Sequence, residues 1–67
     1  MSVAKVSEIS STSTKSFEDA ITSGIARAHK TIRNIRSAWI KEQQVRLENG
    51  NIIEYQVNMM LTFVIDE

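Results

Sequence analysis

The sequence predicts a small α+β domain of β-α-β-β order: a three-stranded antiparallel sheet with one helix packed on one face. Three observations carry this. Asn49-Gly50 separates two alternating runs, Trp39 to Glu48 and Asn51 to Asp66. Both residues of a two-residue hairpin turn need φ > 0, which Asn and Gly tolerate. Ile21, Ile25, Ala28, Ile32 and Ile35 recur at spacings of four, three, four and three, which is one face of a helix. Val3 to Ile9 alternates between Val3, Lys5, Ser7, Ile9 and Ala4, Val6, Glu8, as a strand does.

Each element follows in order. The first strand is expected at about residues 3–9. Ser10 to Ser16 is rich in Ser and Thr and reads as a polar loop. Ser16 is a good N-cap, with Asp19 in the acidic position of a capping-box-like pattern and Glu18 adding charge to the first turn. The helix is expected over about 17–36. Arg27, Lys30, Arg33 and Arg36 fill its later half, where the dipole favours cations. Gly24 sits mid-helix at a cost of about 1 kcal/mol against alanine. A close approach explains it, and a neighbouring subunit's helix is one candidate. The hairpin strands are expected at about 39–48 and 51–66, so residues 1–67 form one domain without an internal repeat.

Counting outward from Asn49-Gly50 sets a register. Glu48 faces Asn51, Gln43 faces Gln56 and Trp39 faces Met60. By the period of two, Ile53, Tyr55, Val57, Met59, Leu61, Phe63 and Ile65 form the core face of the last strand. The other face is mixed: Ile52, Glu54, Gln56, Asn58, Met60, Thr62 and Val64. Trp39, Lys41 and Gln43 join it from the neighbouring strand. The one tryptophan of the chain is thus expected away from the core, among amides. One helix covers one sheet face, so this second face is a candidate binding surface.

Size and charge exclude several classes. A chain of 67 residues is marginal as an isolated domain, and with no cysteine it has no disulfide to staple it. A bound ligand or oligomerisation is the remaining remedy. Eight basic and eight acidic residues cancel. No global field attracts nucleic acid or anionic lipid, and the basic helix residues lack interleaved aromatics. There is no signal sequence and no apolar run long enough to span a membrane, so a cytoplasmic protein is expected. One histidine, His29, and no cysteine leave no ligand set for a metal within one chain and no nucleophile–base pair. By the hairpin count Glu42 and Glu54 lie on opposite faces, which argues against a carboxylate pair. With Gly24 and Gly50 the only glycines, there is no phosphate loop. No enzyme is expected.

An ordered set of segments then resembles a known family. It comprises Ala26-Arg27-Ala28-His29-Lys30-Thr31-Ile32-Arg33-Asn34, Trp39, Glu42-Gln43, Val45-Arg46, Glu54-Tyr55-Gln56-Val57 and Leu61-Thr62-Phe63. In that order and at this chain length, it is similar to the dodecins, small flavin-binding proteins of β-α-β-β fold, from about Val3 to Asp66. The resemblance implies a hollow homododecamer with helices outward. It implies flavin stored in stacked pairs between symmetry-related tryptophans, with its excited state quenched. Trp39 matches the stacking tryptophan, Gln56 the glutamine that hydrogen-bonds the polar ring edge, and Arg46 a basic position associated with phosphate-bearing ligands. Gln43 and Met60 are further candidates from the mixed face. The implied ligand is FMN, alternatively riboflavin or FAD, with coenzyme A near Arg46 as a further possibility. Some phosphate-binding members carry arginine where this chain has Val64, so the choice between FMN and riboflavin stays open.

The residues themselves allow plainer readings. Trp39 alone reads as a core or oligomer-interface residue, and Gln56 as a solvated strand residue. Arg46 is either a phosphate fork or an exposed charge beside Glu48 or Glu54. Met60 touches either a ligand or a neighbouring protomer. A ligand-free structural or protein-interaction oligomer is the alternative from a different class. Because Trp39 and Gln56 stand four pairs apart, on the order of 13 Å at about 3.3 Å per residue, a site using both is expected to be shared between protomers.

Overall fold

A computed structural model describes residues 3–65; Asp66, the expected end of the last strand, and the extreme ends of the 1–67 domain lie outside the described residues. The elements are β1 (Ala4–Ser13), α1 (Phe17–His29), β2 (Ile35–Glu48) and β3 (Asn51–Val64). The sheet is antiparallel in the order β1-β3-β2, with β3 in the centre. Asn49 and Gly50 take φ of 52° and 80°, the left-handed pair that matches the strand twist.

β1 is longer than the alternation alone suggests. Ser10, Ser11, Thr12 and Ser13 pair with Asn58, Val57, Gln56 and Tyr55, so the expected loop begins only after Ser13. Polar composition signals a loop where the backbone lacks a partner, and here β3 supplies one. Ser13 is buried and organises the turn that follows. Its hydroxyl donates to Asp19 Oδ2 at 2.7 Å and accepts from the Lys15 and Ser16 amides at 2.9 and 3.4 Å. Ser16 caps α1 as expected, its hydroxyl accepting from the Asp19 amide at 2.9 Å.

α1 stops at His29, short of the expected 36. The Thr31 and Ile32 amides both reach the Ala28 carbonyl, at 3.0 and 2.8 Å, and Asn34 at φ 60° turns the chain into β2. Ile32 and Ile35 still pack against the core, but from the loop and from β2. Their apolar spacing reported burial, which two different backbones satisfy. Arg33 and Arg36 therefore lie beyond the helix, whose last turn carries Arg27 and His29.

The core is small. Ala20, Ala28, Val57, Met59 and Leu61 are buried, and Ile9, Phe17, Ile21, Ile25, Ile32 and Ile35 pack around them. Phe17 meets Tyr55 edge-on at 5.1 Å. Only the middle of the expected apolar face is covered, for Ile53 and Ile65 at its two ends are exposed. The close approach at Gly24 is made within the chain. A Cβ there would lie 2.8 Å from Met59 Cε and 2.8 Å from Ser11 Cβ. Gly24→Ala should therefore lower the midpoint of thermal unfolding. Overpacking costs roughly 1–3 kcal/mol, against about 1 kcal/mol of helix propensity gained. Ser11→Gly should restore part of the loss, and a raised midpoint in the single variant would contradict this packing.

The hairpin register departs from simple counting. Irregularities fall between Arg46 and Leu47 and between Ile40 and Glu42. Between them β2 is displaced by one residue, so Gln43 pairs with Val57, Gln44 with Gln56, Arg46 with Glu54 and Glu42 with Asn58. Beyond the second irregularity Trp39 pairs with Met60, as expected, and a third lies between Ile35 and Ser37. A displacement by one residue exchanges the two faces of a strand. Gln43, expected opposite Gln56, thus leaves the mixed face. Glu42, expected opposite in face to Glu54, joins it.

Candidate functional site

The face of the sheet turned away from α1 carries two unlike regions. The first surrounds Trp39, which is 51% exposed and pairs with Met60 of β3. Glu8, from β1, pairs with the same Met60 on its other side. Lys41 Nζ reaches Glu8 Oε1 at 3.4 Å across the central strand, which places it on this face beside the indole. Val6 is exposed nearby in β1, opposite Thr62. An indole half in water, opposite one thioether on the uncovered face, is an uncovered π-surface.

The second region is a ladder of amides and charges. Gln44 Nε2 donates to Gln56 Oε1 at 3.1 Å. Gln56 Nε2 donates to Ser10 Oγ at 3.0 Å and to Asn58 Oδ1 at 3.3 Å. Asn58 Nδ2 donates to Glu42 Oε1 at 2.7 Å. Nearer the turn, Arg46 Nη1 meets Glu54 Oε1 at 2.9 Å, with the arginine side chain 63% exposed. Glu42 and Glu54 share this face but hold different partners, so they do not form a carboxylate pair.

Of the expected residues, Trp39, Met60, Gln56 and Arg46 stand on this one face, while Gln43 pairs with Val57 of the core row. Arg46 pairs with Glu54, one of the two carboxylates expected beside it. Gln44, Glu42 and Ser10 are the residues that counting missed; Asn58 it placed on this face, without a role. The adjacent amides Gln43-Gln44 were the available signal, and the bulges decide which of the two faces Gln56. Trp39 and Gln56 remain four residues apart along β3 through Met60, on the order of 13 Å.

Among the described residues no three of His, Asp and Glu gather as a group able to hold a metal ion. No helix of the described residues is long and apolar enough to cross a membrane.

The family model for dodecin matches residues 3–66. The chain is 33% identical over 63 residues to the calcium dodecin of Mycobacterium tuberculosis, covering 94% of this chain and 89% of that one. Among solved structures, the dodecin from Streptomyces davaonensis is similar with a TM-score of 0.92 at 33% identity, over 98% of this chain and 97% of its own. An arginine-to-alanine mutant of the Thermus thermophilus dodecin gives 0.93 at 33% identity, with both chains fully covered. The structure of the M. tuberculosis calcium dodecin, described as carrying a calcium-binding site, gives 0.83 at 32% identity over 97% of this chain and 93% of its own.

Proposed function

The chain belongs to the dodecin family, and from that premise we propose that it binds flavin reversibly, as FMN or riboflavin, for storage and for quenching of the excited state. The observation that carries the reading is Trp39, half exposed on an uncovered sheet face. An isoalloxazine ring is a flat tricycle that would cover that indole, and its polar edge calls for an amide such as Gln56. Indole in contact with an excited flavin donates an electron and recovers it, so the light energy leaves as heat.

The assembly implied is a homo-oligomer, a dodecamer in the family's pattern. Two features support it. Few large side chains are buried in a single chain, Met59, Leu61 and Val57 being the largest fully buried ones among the described residues. The separation of Trp39 from Gln56 makes the site composite, each flavin stacking on the tryptophan of one protomer and meeting the glutamine of another.

The test is a fluorescence titration of FMN and of riboflavin, separately, into protein stripped of ligand. Quenching that saturates near one flavin per chain supports paired stacking. Absence of both quenching and binding by an independent method overturns the flavin reading and favours a purely structural oligomer. Repeating the titration with calcium present bears on the relative's name.

Arg46 is the candidate for the phosphate of FMN, and equally for a phosphate-bearing second ligand such as coenzyme A. Its ion pair with Glu54 is exposed and worth at most about 1 kcal/mol, while a charge-assisted bond to phosphate is worth about 1.5–3 kcal/mol. Arg46→Ala is expected to weaken FMN by roughly two- to thirtyfold, on that difference, and to leave riboflavin unchanged. Equal effects on both flavins would remove Arg46 from the phosphate.

A further inference from the structure

The polar ladder on the open face has a direction, and the direction has a cause. Each amide in it donates toward the same end: Gln44 to Gln56, Gln56 to Asn58, Asn58 to Glu42. An amide chain alone has no preferred sense, because every Asn or Gln can turn over and exchange its donor for its acceptor. A carboxylate has no such freedom, since it only accepts. With Glu42 Oε1 at 2.7 Å from Asn58, turning Asn58 over would set two acceptor oxygens against each other. The charge therefore points the Asn58 Nδ2 at Glu42 and the Asn58 Oδ1 at Gln56. Gln56 must then donate to Asn58, which leaves its Oε1 facing Gln44.

We propose that Glu42 is a positioning residue that fixes the Gln56 amide, through Asn58, so that Gln56 presents its carbonyl oxygen to the imide N–H of a bound flavin. Both protons on Gln56 Nε2 are already given, to Ser10 and Asn58. The capacity left on Gln56 is a lone pair of Oε1, which accepts from one amide, Gln44. A ligand meeting this side chain must bring a donor. The imide N–H of the isoalloxazine edge is such a donor, and a ring methylated at that nitrogen is not. Covering the face removes water, which strengthens the charge-assisted end bond and polarises the chain behind it. The ligand part of the inference rests on the flavin reading; the orientation of the amides does not.

The experiment has two arms. In ligand-free protein, the side-chain amide proton signals of Gln56 and Asn58 are compared in wild type, Glu42→Gln and Asn58→Val. One set of Gln56 signals, protected from exchange, is expected in wild type. Two sets or an unprotected one are expected in both variants. Unchanged Gln56 signals in Glu42→Gln would overturn the proposal whatever the protein binds. In the second arm, riboflavin and its imide-N-methyl derivative are titrated into wild type and Glu42→Gln. Wild type should prefer the unmethylated flavin by tenfold or more, and Glu42→Gln should reduce that ratio at least threefold while the bound flavin stays quenched. A ratio that survives the substitution would refute the positioning role. If neither flavin binds wild type, the flavin reading fails and the first arm alone decides the amide orientation.

Discussion

Trp39→Ala is expected to lower flavin affinity by about 30- to 1,000-fold and to leave whatever flavin still binds fluorescent. The estimate combines about 1 kcal/mol for stacking with roughly 1–3 kcal/mol for the apolar area that the ring and indole cover together, at about 1.4 kcal/mol per tenfold. The fold should be unaffected. Trp39 is half exposed, contributes nothing to the buried cluster and faces away from α1. Its removal should leave the circular dichroism spectrum and the thermal midpoint of the ligand-free protein close to wild type. Trp39→Phe keeps a smaller π-surface and should fall between the two in affinity, with weaker quenching because phenylalanine is a poorer electron donor. Unchanged binding and quenching in Trp39→Ala would dismiss the stacking site, and with it the reason for an indole on an open face.

Leu61→Ala should have the opposite profile, collapsing the fold before any question of ligand arises. Leu61 is fully buried in the later half of β3, with Met59 and Val57 in the same row. Its partners across the sheet are Ser7 of β1 and Ala38 of β2, both too small to close a cavity. Truncation of a buried leucine costs about 2–5 kcal/mol. A chain of this length has on the order of 3–10 kcal/mol of stability in total. We expect Leu61→Ala to unfold at low denaturant concentration or to be unfolded outright, by urea titration followed by circular dichroism. Leu61→Met conserves volume and should cost less than about 1.5 kcal/mol. A Leu61→Ala protein as stable as wild type would show that burial in this row is not what holds α1 to the sheet. Saturating FMN separates the two predictions, since mass action stabilises a destabilised binder but does not restore a missing stacking surface.

How much was legible follows from which signals are local. The Asn49-Gly50 turn was readable because two adjacent residues must share a rare backbone region, and few residue pairs do so cheaply. The Ser16 cap was readable for the same reason: it lies three residues from the amide it satisfies. Burial was readable too, since Ile32 and Ile35 reach the core. Their conformation was not, because apolar spacing records which side chains go inward and is indifferent to whether a helix or a loop and strand carries them. The serines of β1 were misread for a related cause. Ser11 and Ser13 face α1, where small side chains allow Gly24 to approach within Cβ contact of Ser11, and that requirement belongs to the helix as much as to the strand.

The sequence by itself determined the element order, the hairpin, the apolar face of the last strand that contains Val57, Met59 and Leu61, and the placing of Trp39 opposite Met60. The first three rest on residues adjacent in the chain or on a regular period, and the last holds because two irregularities in β2 cancel before Trp39. Only the tertiary structure decided that Gln44 rather than Gln43 meets Gln56, and that Glu42 stands on the same face and closes the ladder through Asn58. A bulge leaves almost no mark in composition, yet it moves every residue beyond it to the other face until a second bulge reverses the displacement. Strand pairing with β3 is where that displacement is fixed, and with it which side chains share the open face.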